Sequence, residues 1–117
     1  DLMAIHSKSL ALNDSVAGTT AGTADTLYTA TNVEATITAF TAHNSHGAAV
    51  EVFVYILPSG VAATAVDPIA VQSVAAGSTA IISHALGHTV PKNGTVAAYA
   101  GTTAVIRLTA SGYEQST

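Results

Sequence analysis

The residues of this sequence that could bind a metal or catalyse a reaction are its histidines and its carboxylates. Two histidine pairs are closely spaced, His43 with His46 and His84 with His88. Imidazole pairs bind zinc or nickel when their rings converge. The i, i+4 spacing brings rings together on a helix, but each pair here flanks a predicted turn or loop, where histidine is ordinarily solvent-facing or hydrogen-bonded. We therefore predict no metal site.

The seven acidic residues form no short paired motif. A glycosidase needs two carboxylates about 5–10 Å apart across a cleft, and nothing in the sequence places two together. The sequence also has no P-loop, no G-x-G-x-x-G and no G-x-S-x-G. We predict no enzymatic activity, no catalytic residue and no cofactor.

The charge balance argues against nucleic acid as a partner, and the length of the apolar runs argues against a membrane. Three Lys and Arg residues stand against seven acidic ones, a net charge of −4, whereas binding to nucleic acid needs clustered cations. No apolar run approaches the roughly 18–20 residues that cross a bilayer. The chain has no cysteine, which excludes disulfides and thiolate metal sites.

Charged residues make up only 9% of the chain, against about 25% in an average soluble domain. A surface of Ala, Thr, Gly and Ser is cheap to desolvate because few hydrated ions must be stripped from it. Such a surface suits a protein that is largely covered by neighbours. The alternative, a free β domain with a Thr-rich surface, stays open.

The elements that would position a site are best seen in residues 36–60. Two apolar runs, 35–43 and 50–57, flank the turn-forming Asn-Ser-His-Gly at 44–47, which predicts a central β-hairpin. Side chains alternate along a strand. One face of the second run therefore carries Val50, Val52, Val54 and Ile56, which we predict to be core. The other face carries Glu51, Phe53, Tyr55 and Leu57.

The apolar second face of that strand is the functional clue. Burying one large apolar side chain stabilises a protein by roughly 1.5–3 kcal/mol, so Phe53, Tyr55 and Leu57 should not all remain in water. Either the N-terminal segment of the same chain covers them, or another chain does. We predict that they contact another chain.

The rest of the chain predicts short strands at regular spacing without a helical period. Residues 1–25 are turn-prone and are predicted to be an N-terminal arm or edge segment, while 26–117 form the sandwich domain. The fold class is thus all-β, an antiparallel β-sandwich of about eight strands, immunoglobulin-like or jelly-roll-like. Further strands are predicted at 26–30, 69–74, 79–84, 95–100 and 104–110, with the last four paired as two hairpins.

One stretch resembles a known family. The chain has Leu27-Tyr28-Thr29-Ala30, then Ile37-Thr38-Ala39-Phe40, His43-Asn44 and the run VEVFVYILPSG at 50–60. It continues with Ala76-Gly77-Ser78-Thr79 and Ser111-Gly112-Tyr113-Glu114. This order resembles the small β-sandwich virion proteins of tailed bacteriophages, over about residues 26–114.

The resemblance implies a structural role in the virion, often as a homotrimer, assembled in the host cytoplasm. We expect a capsid decoration (cement) protein that binds the major capsid protein and stabilises the head. A tail or fibre component for host attachment is the first alternative, and a carbohydrate-binding or adhesion module is the second. The predicted interface residues are Phe53, Tyr55, Leu57, Arg107, Leu2, Ile5 and Leu10, with Arg107 as an interface ion pair or a solvated strand residue.

Overall fold

The computed structural model describes residues 5–116. These residues form nine β-strands, three short 3₁₀ turns and no α-helix. The 3₁₀ turns span Ala21–Thr23, Ala63–Ala65 and Ser83–Ala85. The strands are β1 (Ile5–Ser15), β2 (Asp25–Thr29), β3 (Val33–Asn44), β4 (Val50–Leu57), β5 (Ala70–Val74), β6 (Thr79–Ile81), β7 (Thr89–Val90), β8 (Thr95–Ala100) and β9 (Ile106–Ser116).

The strands form two antiparallel sheets that pack face to face. The five-stranded sheet has the order β1-β9-β3-β6, with the two-residue β7 also paired to β3. The four-stranded sheet has the order β2-β8-β4-β5. The chain changes sheet at most of its connections, and with β7 set aside these two orders are those of a jelly roll. The all-β sandwich prediction is confirmed.

The predicted central hairpin is wrong. β3 pairs with β9, β6 and β7, whereas β4 pairs with β5 and β8 in the opposite sheet. The connection at 45–49 crosses between the sheets, because face-to-face packing buries the apolar faces of both strands against each other. The two further predicted hairpins, β5 with β6 and β8 with β9, are wrong for the same reason, since each pair is divided between the sheets.

Asn44 fixes the crossing between β3 and β4. It is fully buried, and its Nδ2 donates to the carbonyl oxygens of Ala48 at 2.9 Å and Val74 at 3.0 Å. Its Oδ1 accepts from the backbone N–H of His46 at 2.8 Å. One buried side chain therefore bonds backbone groups of the exposed turn and the end of β5, and joins the two.

The predicted core face of β4 is confirmed. Val50, Val52 and Val54 are buried and Ile56 packs against the same cluster. Opposite them, β3 and β9 contribute Ile37, Phe40 and Leu108 among others. The alternation of β4 thus places its branched aliphatic residues between the sheets.

The N-terminal segment joins this core. Residues 5–15, predicted as part of an arm or edge segment, form the edge strand β1 against β9. Leu10, Ala11 and Val16 are buried in the same cluster as the β4 valines. Residues on both sides of position 25 therefore share one core.

Candidate interaction surface

The outer face of the four-stranded sheet carries an apolar row across three strands. Phe53 of β4 lies opposite Tyr99 of β8 on one side and Val71 of β5 on the other. We call these three residues the aromatic row. Phe53 and Tyr99 are half-buried, and Val71 is 45% exposed. The row therefore ends at the free edge of the sheet on an exposed valine.

The neighbouring part of the same face is covered by the chain itself. Tyr55 and Leu57 are only 3% and 7% exposed and form a small second cluster with Ala63 and Ala97. Ala21, Ala24, Phe53 and Tyr99 pack around that cluster. The first two 3₁₀ turns thus cover Tyr55 and Leu57, and Phe53 is the member of the predicted trio that stays partly exposed.

The segment from Val16 to Ala24 is held on the sheet by specific hydrogen bonds. The N–H of Ala17 donates to the Asp25 carboxylate at 2.7 Å, and the Gly18 carbonyl accepts from the N–H of Ala100 at 3.1 Å. A Cβ on Gly18 would overlap the backbone carbonyl of Thr23. The glycine therefore allows the loop to fold closely over itself and cover Leu57.

The aromatic rings of this face are stacked. Phe53 and Tyr99 have ring centroids 4.4 Å apart at an interplanar angle of 7°, and Tyr55 and Tyr99 are 6.1 Å apart at 26°. Such pairs contribute about 0.5–1.5 kcal/mol beyond area burial. Burial raises the pKa of Tyr55, and Tyr99 and Asp67 raise it further. The three rings therefore form one stacked aromatic group.

The remaining predicted interface residues are not brought to this face. Ile5 is 64% exposed and Leu10 is buried, both on β1 of the other sheet, while Leu2 lies outside the described residues. Arg107 on β9 is exposed and its guanidinium donates to the carbonyl oxygen of Asn13 at 3.0 Å. The described residues of the predicted interface therefore do not form one surface. Phe53, Tyr55 and Leu57 lie on the four-stranded sheet, whereas Ile5, Leu10 and Arg107 lie on the five-stranded sheet.

All four histidines of the two pairs are exposed. His43 Nδ1 lies 2.8 Å from the Thr79 hydroxyl oxygen. Among residues 5–116, no group of three or more His, Cys, Asp or Glu side chains is arranged to hold a metal ion.

One hydrogen bond joins the two sheets through side chains that are distant in sequence. The Tyr28 hydroxyl of β2 donates to the Glu114 carboxylate of β9, across the two sheets. Burial, and then the Glu114 carboxylate, raise the pKa of Tyr28 well above its usual range. The two residues are 86 positions apart, so no local pattern could have indicated this bond.

No helix of the described residues is long and apolar enough to cross a membrane.

No protein-family model matches the sequence, and no curated protein shows significant similarity to it. Similar folds occur among solved structures. A chain of the infectious bursal disease virus particle matches 99% of this chain with TM-score 0.55 and 11% identity, and a chain of the Gx strain of that virus matches 99% with TM-score 0.50 and 12% identity. This chain covers only 31% and 33% of those two chains.

A pilus protein of Bacillus endospore appendages, described as disulfide-linked, matches 98% of this chain and 88% of its own length. Its TM-score is 0.48 and its identity is 18%. At 11% and 12% identity the likeness to the two virus chains is one of fold alone. The strand order itself defines the class of this chain as a jelly-roll β-sandwich.

Proposed function

We propose that this protein is a non-enzymatic structural subunit of a multimeric particle. More specifically, we propose a capsid decoration protein that binds the outer surface of a phage head. The observation that carries the proposal is the aromatic row: Phe53 stacks on Tyr99 and the row ends on the 45% exposed Val71, on a sheet face where Tyr55 and Leu57 are already covered. Aromatic side chains are enriched at protein–protein interfaces relative to the rest of the protein surface.

Three further observations support a structural role. The virus-particle chains whose fold it shares belong to assembled particles. The surface carries few charges, so little ion desolvation opposes contact with neighbours. The sequence resembles the small sandwich proteins of tailed-phage virions, which implies a structural role in the particle, often as a homotrimer; the proposed partner on the head is the major capsid protein.

The proposed mechanism is that of a clamp. Each copy contributes one small apolar contact through Phe53 and its row, and many copies on one head add their contacts through avidity. A ligand that binds only the assembled head shifts the assembly equilibrium toward the head by mass action. The protein then stabilises the head without any chemical step. Its proposed location is the virion, after assembly in the host cytoplasm.

The test is binding of the purified protein to heads that lack it. Phe53→Ser removes the centre of the aromatic row, and Ile81→Ser on β6 is the control because Ile81 is 61% exposed on the other sheet. We expect Phe53→Ser to weaken cosedimentation with heads about 2- to 6-fold, the equivalent of roughly 0.5–1 kcal/mol, because only the exposed part of a half-buried side chain becomes buried on binding. Ile81→Ser should bind like the wild type.

Equal binding by wild type and Phe53→Ser would contradict the assigned surface. Electron microscopy of particles made without the protein tests the location. Lost surface protrusions and heads that open on mild heating are expected. Intact heads with a missing tail part would overturn the decoration role in favour of a tail component.

A further inference from the structure

The four sheet edges formed by residues 5–116 differ in how they are protected against strand addition. Natural edge strands are blunted by charges, bulges, prolines or shortness. β1 carries Lys8 and two register shifts, and β2 begins at Asp25 and has one shift. β6 has only three residues and runs into the 3₁₀ turn at Ser83–Ala85. These three edges are therefore blunted.

β5 has none of these protections. Its sequence, Ala-Val-Gln-Ser-Val, has no charge and no proline, and it pairs with β4 over all five residues without a register shift. It also ends the aromatic row at Val71. An edge of this kind presents unpaired backbone groups as a template for another strand.

Along a strand the backbone N–H and C=O groups of successive residues point to alternate sides. This alternation identifies the residues of β5 whose backbone groups point away from the sheet. The N–H of Gly101 donates to the Glu51 carbonyl at 2.9 Å, so the backbone groups of Glu51 point toward β8. Successive residues of an antiparallel strand point to opposite sides, so those of Val52 point toward its partner Gln72 on β5. Val71 and Ser73 consequently direct their N–H and C=O groups away from the sheet.

We propose that β5 is a self-association edge, where β5 of a second copy adds antiparallel across a twofold axis through Gln72. Val71 then lies opposite Ser73 of the second copy, and the two such pairs exchange about four backbone hydrogen bonds. The two four-stranded sheets become one continuous eight-stranded sheet, and the aromatic rows of both copies approach each other. The inference deepens the proposed role in a multimeric particle and rests on it.

Self-complementarity is the reason for choosing a second copy as the occupant. Across a twofold axis a residue at the centre faces itself, so a charge there would be repelled by its own copy. The central residue here is Gln72, a partly buried amide that can both donate and accept. Its Nε2 donates to the carbonyl oxygen of Ser73 at 3.0 Å, an edge group that the second strand would satisfy instead.

The experiment changes Gln72, which would face its own copy across the axis, in the full chain and in the absence of phage heads. Contacts this small give weak complexes, so sedimentation equilibrium should extend to about 1 mM chain. We expect Gln72→Lys or Gln72→Glu alone to halve the mass of the largest wild-type species. An equimolar mixture of the two variants should restore that mass, because opposite charges then face each other. Thr26→Lys, on the opposite edge of the same sheet, should change nothing.

A second variant keeps the test independent of those charges. The chain has no cysteine, so Gln72→Cys introduces a single thiol that meets its own copy across the axis and should oxidise to a covalent dimer. Thr26→Cys should oxidise much more slowly. A wild-type mass equal to that of Gln72→Lys at every concentration, or equal oxidation of the two cysteine variants, would overturn the proposal. Binding to heads by Phe53→Ser is a separate measurement, so either idea can fail alone.

Discussion

Leu57 tests whether the chain covers its own second face. Leu57→Ala removes most of a side chain that is only 7% exposed, beneath Ala63 and beside Ala97. Leucine-to-alanine changes at buried sites cost about 2–5 kcal/mol. Because this cluster is small and lies near the surface, we expect the lower end, about 2–3 kcal/mol. For a chain of 117 residues each kcal/mol lowers Tm by about 4 °C, so Tm should fall by about 10 °C.

The control is a leucine in a different environment. Leu12 lies on β1 and is 72% exposed, so Leu12→Ala should change stability by less than about 0.5 kcal/mol. Both variants are measured by thermal and urea unfolding followed by circular dichroism in the far ultraviolet. If Leu57→Ala and Leu12→Ala have the same Tm, the turns at 21–23 and 63–65 do not cover this face. The assignment of Tyr55 and Leu57 as covered residues, with the aromatic row as the exposed apolar part, is then wrong.

Three further changes test the internal structure. Asn44→Ala leaves buried backbone groups without partners and should cost about 3 kcal/mol in urea unfolding. Gly112→Ala places a methyl group against the Thr36 carbonyl and should lower stability by at least about 2 kcal/mol, because β3 and β9 must separate. Tyr28 keeps its proton when folded, whereas in the unfolded chain it ionises near its usual pKa of 10.0. Its contribution is therefore complete below pH 10 and is lost as the pH rises further, and Tyr28→Phe should reduce that loss.

Each of these predictions can fail in its own way. A soluble Asn44→Ala protein with unchanged urea midpoint would show that other groups satisfy the turn. An unchanged Tm for Gly112→Ala would show that the strands have room for a side chain. If wild type and Tyr28→Phe lose stability in parallel above pH 10, the alkaline transition belongs to other residues, of which Tyr55 is the first to examine.

The sequence predicts the faces of strands better than their partners. Alternation in residues 50–57 identifies Val50, Val52 and Val54 as core, because a strand between two sheets must present one face to each side. The same alternation is satisfied whether β3 lies beside β4 or across from it. Only the packing of two apolar faces against each other, with Asn44 closing the turn, favours the second arrangement.

The covering of Tyr55 and Leu57 was harder to predict for a related reason. The covering residues, Ala21, Ala24 and Ala63, are small and lie in Thr- and Gly-rich loops without periodicity. Their effect comes from where Asp25 and Gly18 hold the first loop. Of the three apolar residues that the sequence places on the second face of β4, the structure leaves only Phe53 partly exposed.

The position of β9 has a consequence for how the molecule is made. Among residues 5–116 β9 is the last strand, yet it lies between β1 and β3, with Ile5 opposite Gln115 and Ala42 opposite Leu108. Pairings between residues so distant in sequence form slowly, because a large loop must close before any contact stabilises it. β1 and β3 therefore cannot pair through β9 until the residues of β9 have been made. A chain cut before Ile106 leaves two long strands without the partner that joins them.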